Sequence, residues 1–283
     1  MSTVLPLPSL STAEAADIDF ERRFGGIARL YGDAALAAFR QAHICVIGVG
    51  GVGSWAVEAL ARSAIGRITL IDLDHLAESN VNRQIHALTD TLGKAKVTAL
   101  AERIAQINPC CEVSEVEEFI TEENLASLIV PGRVDYFIVE IDKSRAKTAL
   151  IVHCRAHQIP LVTIGSAGGQ IDPTQIAIID LSRTEQEPLL ARVRKRLRAH
   201  HGFPRGTKNK FGVDAVYSTE PLRHPELCAT DDDAPGITGL NCAGYGSAVV
   251  VTASFGFVAA GYVLRKLAEK AEKAEKAEKA ARI

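Results

Sequence analysis

Residues 48–53 read Gly-Val-Gly-Gly-Val-Gly, placing Gly48, Gly50 and Gly53 in a G-x-G-x-x-G spacing with a further glycine at Gly51. Such spacing lets a backbone approach phosphate closely, and a helix opening at the last glycine offers free amides and a positive dipole end to an anion. Asp72 stands nineteen residues beyond Gly53 and is a carboxylate of the type that holds ribose hydroxyls. Up to this point NAD and ATP are equally allowed.

The stretch from Asp72 to Gln84 separates them, because it adds Asp74, the amides Asn80, Asn82 and Gln84, and the cation Arg83. Hydride transfer develops no new phosphate charge and has no use for an arginine there. Attack of a carboxylate on an α-phosphate, with pyrophosphate leaving, does need cations to stabilise the spreading charge. Arg83 and Lys96 are of that type, and Asp142 follows an apolar run where a carboxylate can hold Mg²⁺ against phosphates. Each also has a plainer reading alone: a surface ion pair, a solvated helix residue and a helix N-cap. Together with the glycine loop they read as an adenylating site.

These side chains need elements to position them. His43–Ile47 and 67–73 are short apolar or β-branched runs, with a helix over 54–63 between them, so the glycine loop joins a strand to a helix. The alternation goes on as a helix over 94–107 closed by Asn108-Pro109, a strand over 112–117, a helix over 122–129 and a strand over 134–141. A helix over 144–157 and a strand over 159–164 complete it. This period predicts an α/β fold with a doubly wound, mostly parallel Rossmann-like sheet and a C-terminal extension. Upstream, 21–41 has helical spacing. Downstream, 175–181 reads as a strand, 188–199 as a basic helix, 213–220 as a strand and 223–241 as a loop. The expected organisation is an arm over 1–19, an ATP-binding domain over 20–180, a C-terminal part over 181–266 and a solvated helix over 267–283.

Composition sets the class. The chain has 283 residues, 47% hydrophobic, with 32 basic against 34 acidic side chains, which excludes a disordered chain and a disulfide-stapled miniprotein. Six cysteines without a C-x-x-C pair argue for a reducing compartment and against a zinc ribbon. Residues 1–19 carry acids and prolines and lack a basic start, so no secretory signal is expected and a cytoplasmic location is. Residues 242–264 are uncharged, and 247–264 just reaches the length of a membrane span; a helix buried against the sheet is the preferred reading over membrane insertion. The A-E-K units over 268–279 predict a salt-bridged helix through pairs such as Glu269–Lys273 and Glu272–Lys276.

G-V-G-G-V-G-S, I-D-L-D, S-N-V-N-R-Q, G-K-A-K and E-I-D resemble the adenylating domain of the ubiquitin-activating-enzyme-like superfamily, over about residues 20–180. That resemblance implies nucleotide binding at Gly51 and Asp72, phosphate contacts from Asn80, Arg83 and Lys96, and a metal at Asp142. Longer strings resemble the family of tRNA threonylcarbamoyladenosine dehydratases over nearly the whole chain. They are R-F-G-G-I-A-R-L-Y-G at 23–32, G-S-A-G-G-Q-I-D-P-T-Q-I at 165–176, G-V-D-A-V-Y-S-T-E at 212–220 and N-C-A-G-Y-G-S from Asn241. This implies that ATP activates the carboxylate of threonylcarbamoyladenosine at position 37 of tRNA, and that ring closure releases AMP. It also implies a homodimer, with a cysteine desulfurase and its sulfur-acceptor protein as associates.

Two departures matter. Sulfur-carrier adenylyltransferases of the superfamily have zinc cysteines and an arginine reaching in from the other subunit; here the position of that arginine is Gly26, leaving Arg22, Arg23 or Arg29 to substitute. The family's D-A-I-D is Val139-Glu140-Ile141-Asp142, so the first carboxylate is lost or displaced by one residue.

Residues 192–210 hold eight cations and no acid, a field suited to backbone phosphates. Arg192, Arg194, Lys195, Arg196 and Arg198 are the candidates on the helix for tRNA binding, and alanine at Arg194, Arg196 and Arg198 is expected to weaken it. Cys242 is a candidate acyl or persulfide carrier, or a small buried residue at a helix entry. The competing classes are adenylation of a sulfur carrier's C-terminal diglycine, an NAD-dependent oxidoreductase, and a membrane-tethered nucleotide sensor. The missing zinc cysteines, the trio Arg83, Lys96 and Asp142, and the buried reading of 247–264 stand against them in turn.

Overall fold

Seven strands form one sheet in the order β3-β2-β1-β4-β5-β7-β6. The computed structural model describes residues 18–206, 208–223 and 245–281. The strands are β1 (His43–Ile47), β2 (Arg67–Ile71), β3 (Glu112–Val116), β4 (Tyr136–Val139), β5 (Leu161–Ile164), β6 (Ile176–Asp180) and β7 (Asp214–Ser218). All neighbours are parallel except β6 and β7, so the sheet is doubly wound and mostly parallel, as the alternation predicts. Helices α1 (Phe20–Tyr31), α2 (Asp33–Gln41), α3 (Gly53–Arg62), α4 (Lys96–Ile107), α5 (Leu125–Leu128), α6 (Ser144–Ala156), α7 (Pro188–His200) and α8 (Val249–Ala281) flank it.

Each face buries its own core, as a parallel sheet requires. One gathers Val57, Leu60, Leu100, Phe255 and Val263 from α3, α4 and α8; the other gathers Leu150, Ile151, Leu190, Val193 and Leu197 from α6 and α7. The chain leaves β1 for β2 on one side and crosses to β4 on the other. The C-terminal ends of β1 and β4 therefore flank the switch point at which ligands bind in such sheets.

Several boundaries differ from the periodic reading, each for a local reason. The helix expected over 21–41 breaks at Gly32, whose φ of +91° leaves the helical region. The helix expected over 122–129 shrinks to α5, because the Asn124 side chain accepts from Thr121 N and donates to Phe119 O, holding the preceding residues in a turn. The strand expected from 159 starts at Leu161, after Pro160, which has no N–H to give to a ladder. Across 180/181 there is no break in the architecture: β7 lies between β5 and β6, and Asp180 accepts from Phe211 and Gly212 amides at 2.9 and 2.7 Å. Position 266/267 likewise lies inside the continuous helix α8.

Helix α8 is long and apolar enough to cross a membrane, yet 56% of its most apolar window is buried inside the protein. It packs on α2 and α3, and a Cβ at Gly256 would stand 2.5 Å from Val52 O. Burial against the body is thus what the uncharged run does here. In its tail, the Glu272–Lys276 pair forms and so does Glu275–Lys279, but Glu269 turns back to Arg265 and Lys266 rather than meeting Lys273. The loop expected over 223–241, with Asp231-Asp232-Asp233, lies almost wholly outside the described residues, as do Cys242 and residues 1–17.

Candidate active site

The glycine loop leaves β1 with Gly48 at φ +83°, and a Cβ there would lie 1.8 Å from the Glu140 carbonyl oxygen. A Cβ at Gly53 would meet Gly48 O at 1.9 Å, so these two glycines are what allow the loop to fold onto itself and open α3. Gly50 is different: the nearest atoms to its Cβ position are Glu140 Oε2 at 3.7 Å and Gln84 Nε2 at 3.9 Å, ordinary van der Waals contacts. Asp72, at the end of β2, ties the loop down. One carboxylate oxygen accepts from Val49 N at 2.8 Å and the other from Asp74 N at 2.9 Å, and both keep a lone pair for a ribose hydroxyl.

Above the loop is a cleft of about 790 Å³. Gly48, Gly50, Asp72, Asp74, Gln84, Lys96 and Asp142, all expected from sequence, line it. Gly51, Gly53, Asn80 and Arg83 stand behind the lining. Gly51 makes room for the Arg83 stem, at 3.3 Å from its Cβ position. Asn80 Oδ1 accepts from Ala77 N, shaping the turn. Arg83 Nη1 donates to Ser79 O at 2.6 Å and to Asn82 Oδ1 at 2.9 Å, while Trp55 Nε1 donates to Arg83 O. The Arg83 charge nonetheless reaches Asp142 and favours its ionised form.

The cleft lining sets five acids, Asp72, Asp74, Glu118, Glu140 and Asp142, against Lys96, Lys143 and Arg192, which suits a polyanion bound together with a cation. Lys96, at the start of α4 with its side chain only 7% exposed, pairs with the half-exposed Asp74 at 2.8 Å. The side-chain Oε1 of buried Gln84 has no partner among the described residues. Burial pushes the Asp142 carboxyl above the usual carboxylate range against the pull of Lys147, Lys96 and Arg83. Glu140 is raised further, by burial first and then by the Asp142 charge. A cation between these carboxylates would relieve both effects. Among the described residues no three acids, histidines or cysteines converge as a metal cage. The donor set of one or two carboxylates therefore fits Mg²⁺ shared with substrate phosphates rather than a closed protein site.

Sequence reasoning missed Lys143, Ser144 and Phe119 and left open whether Glu140 replaces the family's first carboxylate; all four line the cleft. Their signal was position, since they follow the C-terminal ends of β3 and β4 where the switch point must lie. Glu140 also answers the family departure: the carboxylate displaced by one residue still faces Gly48 and Gly50. Lys147, 1% exposed, donates to Ile164 O beneath the site, and burial depresses its pKa against the attraction of Asp142, Glu187 and Glu140.

Beside Lys96 lies His86, 2% exposed and with neither ring nitrogen partnered. Burial, reinforced by Lys96 and Arg103, lowers its pKa from 6.5 to about 3. The native state then refuses a proton that the unfolded chain accepts below pH 6.5. Stability is accordingly full above that pH and is lost as pH falls towards 3, by about 1.4 kcal/mol per pH unit. Denaturant unfolding at pH 8 and pH 5 should show this slope in the wild type and a shallower one, by about 2 kcal/mol across the interval, in His86→Leu. Equal slopes in the two proteins would contradict the assignment.

Of the basic helix, Arg192 enters the cleft lining, whereas Arg194 is half-buried and donates to Thr184 Oγ1. Arg198 donates to Pro204 O and Ser182 O and stacks 5.2 Å from the Phe211 ring centroid; Arg196 Nε is buried without a partner. Alanine at Arg194 and Arg198 would therefore loosen α7 itself, so weaker tRNA binding in the triple variant would report the fold as well as any tRNA contact. Arg23 Nη1 donates to Ile107 O, at the C-terminal end of α4. Lys96 lies at the other end, about 16 Å away at 1.5 Å per residue, so Arg23 cannot complete the cleft of its own chain.

Residues 24–281 match the profile described as the ThiF family. The chain belongs to the ThiF family. Within this ThiF family, the chain is 53% identical over 256 residues to the tRNA threonylcarbamoyladenosine dehydratase of Escherichia coli (strain K12), covering 89% of this chain and 95% of that protein. The crystal structure of the E. coli tRNA N6-threonylcarbamoyladenosine dehydratase with ATP superposes with a TM-score of 0.81 at 51% identity, covering 90% of this chain and 97% of the other. Its complex with AMP gives 0.80 at 51% identity, covering 89% and 97%. This ThiF-family chain thus spans nearly the full length of those relatives.

Proposed function

We infer that the chain is an ATP-dependent tRNA-modifying enzyme that dehydrates threonylcarbamoyladenosine at position 37 of tRNA. The observation that carries this reading is the 53% identity over 89% of the chain to a dehydratase of that name, a relative whose crystal structures hold ATP and AMP. The cleft residues fit the same chemistry. Asp72 and Asp74 present carboxylates to the ribose, and the Gly48–Gly53 loop presents its amides to the α-phosphate at the start of α3. A carboxylate oxygen of the substrate attacks the α-phosphorus and pyrophosphate leaves; Lys96 and the Arg83 charge stabilise the negative charge that develops. The substrate's own carbamoyl nitrogen then attacks the activated carbonyl, the N–H proton is lost, and AMP departs, for a net loss of one water.

Asp142, with Glu140 beside it, would hold Mg²⁺, which when bound neutralises phosphate charge. A homodimer is supported by the exposed apolar residues Val81, Val250 and Phe257, grouped where Asn82 donates to Ser247 O and Trp55 packs on Phe257. A partner subunit would supply the arginine that Arg23 cannot bring to its own cleft. The location is cytoplasmic, where tRNA is modified; association with a cysteine desulfurase and its acceptor is carried by the family resemblance.

The deciding experiment incubates the protein with ATP, Mg²⁺ and tRNA bearing the modified nucleoside, followed by nucleoside mass analysis. Loss of one water with stoichiometric AMP is expected. An unchanged nucleoside alongside ATP–pyrophosphate exchange driven by a protein ending in diglycine would replace this reading with sulfur-carrier activation.

A further inference from the structure

The cations of α7 divide into two sets. Arg194 and Arg198 are committed to the fold through Thr184, Pro204, Ser182 and the Phe211 ring. Arg192, Lys195 and Arg205 are exposed, and among the described residues none of them forms an ion pair. Arg192 uses only Nε, at 3.3 Å from Pro188 O in its own helix, which leaves the outer guanidinium nitrogens to the cleft it lines with Lys96 and Asp142. Lys195 follows at i+3, on the neighbouring spot of the same helix surface, about 5–6 Å away. It lines, with Arg205, a second depression of about 380 Å³ whose other charged walls are Arg194 and Arg198. An unbroken line of positive charge thus leads from the mouth of the nucleotide cleft along α7 to Arg205.

We propose that Arg192, Lys195 and Arg205 form a phosphate track for the polynucleotide substrate, with Arg192 at its cleft end gripping the backbone phosphate next to the reacting nucleoside. This rests on the dehydratase reading and adds what that reading leaves open: how a nucleoside embedded in an RNA is registered against ATP. A peptide tail offering one terminal carboxylate needs one cation, whereas residues 192–210 present a run of cations with no acid, which matches repeating phosphates. The rigid arginine fork suits a phosphate at the point where register is set, and a flexible lysine suffices further along. Arg192 is a substrate-positioning residue, since it meets the RNA and not the reacting atoms.

The test is direct binding of an anticodon stem-loop RNA carrying the modified nucleoside, titrated over a range of salt, alongside the KM values for RNA and ATP. Arg192→Ala should weaken RNA binding about tenfold at low salt and reduce the slope of log K against log salt by about 0.7 to 1. The KM for ATP should move less than twofold in the double variant Lys195→Ala with Arg205→Ala, whose residues lie outside the nucleotide cleft. Arg192→Lys should restore the slope but recover affinity only in part, and Lys195→Ala with Arg205→Ala should reduce the slope by about twice as much as Arg192→Ala does. An unchanged RNA affinity and slope in Arg192→Ala would overturn the track. So would a KM for ATP that rises in step with that for RNA in the Lys195, Arg205 double variant, or a loss of binding confined to a diglycine-ended protein. Because binding is read independently of turnover, a wild-type protein that grips the RNA through Arg192 yet leaves its nucleoside unchanged would sink the dehydratase reading and spare the track.

Discussion

Lys96→Ala should lower ATP-dependent turnover by about 10²–10³-fold while the protein remains folded, the range seen when one preorganised electrostatic stabiliser is removed. Lys96 brings a nearly buried positive charge to the cleft from the start of α4, where its backbone N donates to Asp74 O at 3.0 Å and fixes the side chain's origin. Its ion-pair partner Asp74 is 54% exposed, so losing the pair strands no buried charge and the stability cost is small. The loss therefore falls on the chemistry. AMP release and ATP–pyrophosphate exchange should drop together, with far-ultraviolet circular dichroism and unfolding midpoint near those of the wild type. Arginine at the same position should rescue little, since a planar fork does not occupy the place of a compact ammonium. Turnover within threefold of wild type would remove Lys96 from the adenylation step.

The second large effect contrasts two glycines two residues apart. Gly48→Ala places a methyl 1.8 Å from the Glu140 carbonyl and forces a side chain into φ +83°, whereas Gly50→Ala meets nothing closer than 3.7 Å. Left-handed backbone and a backbone clash together cost several kcal/mol, roughly 2–5, and the loop must open to relieve them. ATP at a hundredfold excess over its Kd stabilises a folded protein by about 2.7 kcal/mol, so a thermal shift reads the result. Gly48→Ala should unfold at lower temperature and show no ATP-dependent shift; Gly50→Ala should keep its midpoint and at least part of the shift. Equal behaviour of the two variants would show that closeness to β4 is not what Gly48 provides.

How much of this was legible beforehand depends on whether a residue's role is set locally. The glycine loop, Asp72 and Lys96 could be read because the strand, the turn and the helix that hold them are short-range features with fixed spacing. Glu140 could be read only as a carboxylate either lost or displaced, since it lies one residue past β4 and its place in the site depends on Gly48 being pressed against its carbonyl from another strand. The basic run could be read as a field but not as a contact list. Which arginines fold back to Thr184 and Phe211, and which face the cleft, is decided by where β6 and the segment before β7 lie. The sheet itself was predictable up to β5. The insertion of β7 between β5 and β6 was not, because nothing in a strand's own pattern states which neighbour it will pair with.

The placement of α8 has a consequence for how the protein comes into being. Helix α8 covers α2 and α3, elements made about 200 residues earlier, and Phe255 and Val263 complete the core on their face of the sheet. During translation β1, the glycine loop and α3 therefore emerge with an apolar flank that no later element can cover until some 200 residues more have followed, a long-range closure of the kind that slows folding. The nucleotide loop is thus fastened from behind by a helix far downstream of it, and a ribosome that stalls before residue 249 would release a product with its ATP-site residues made but the apolar flank behind them bare.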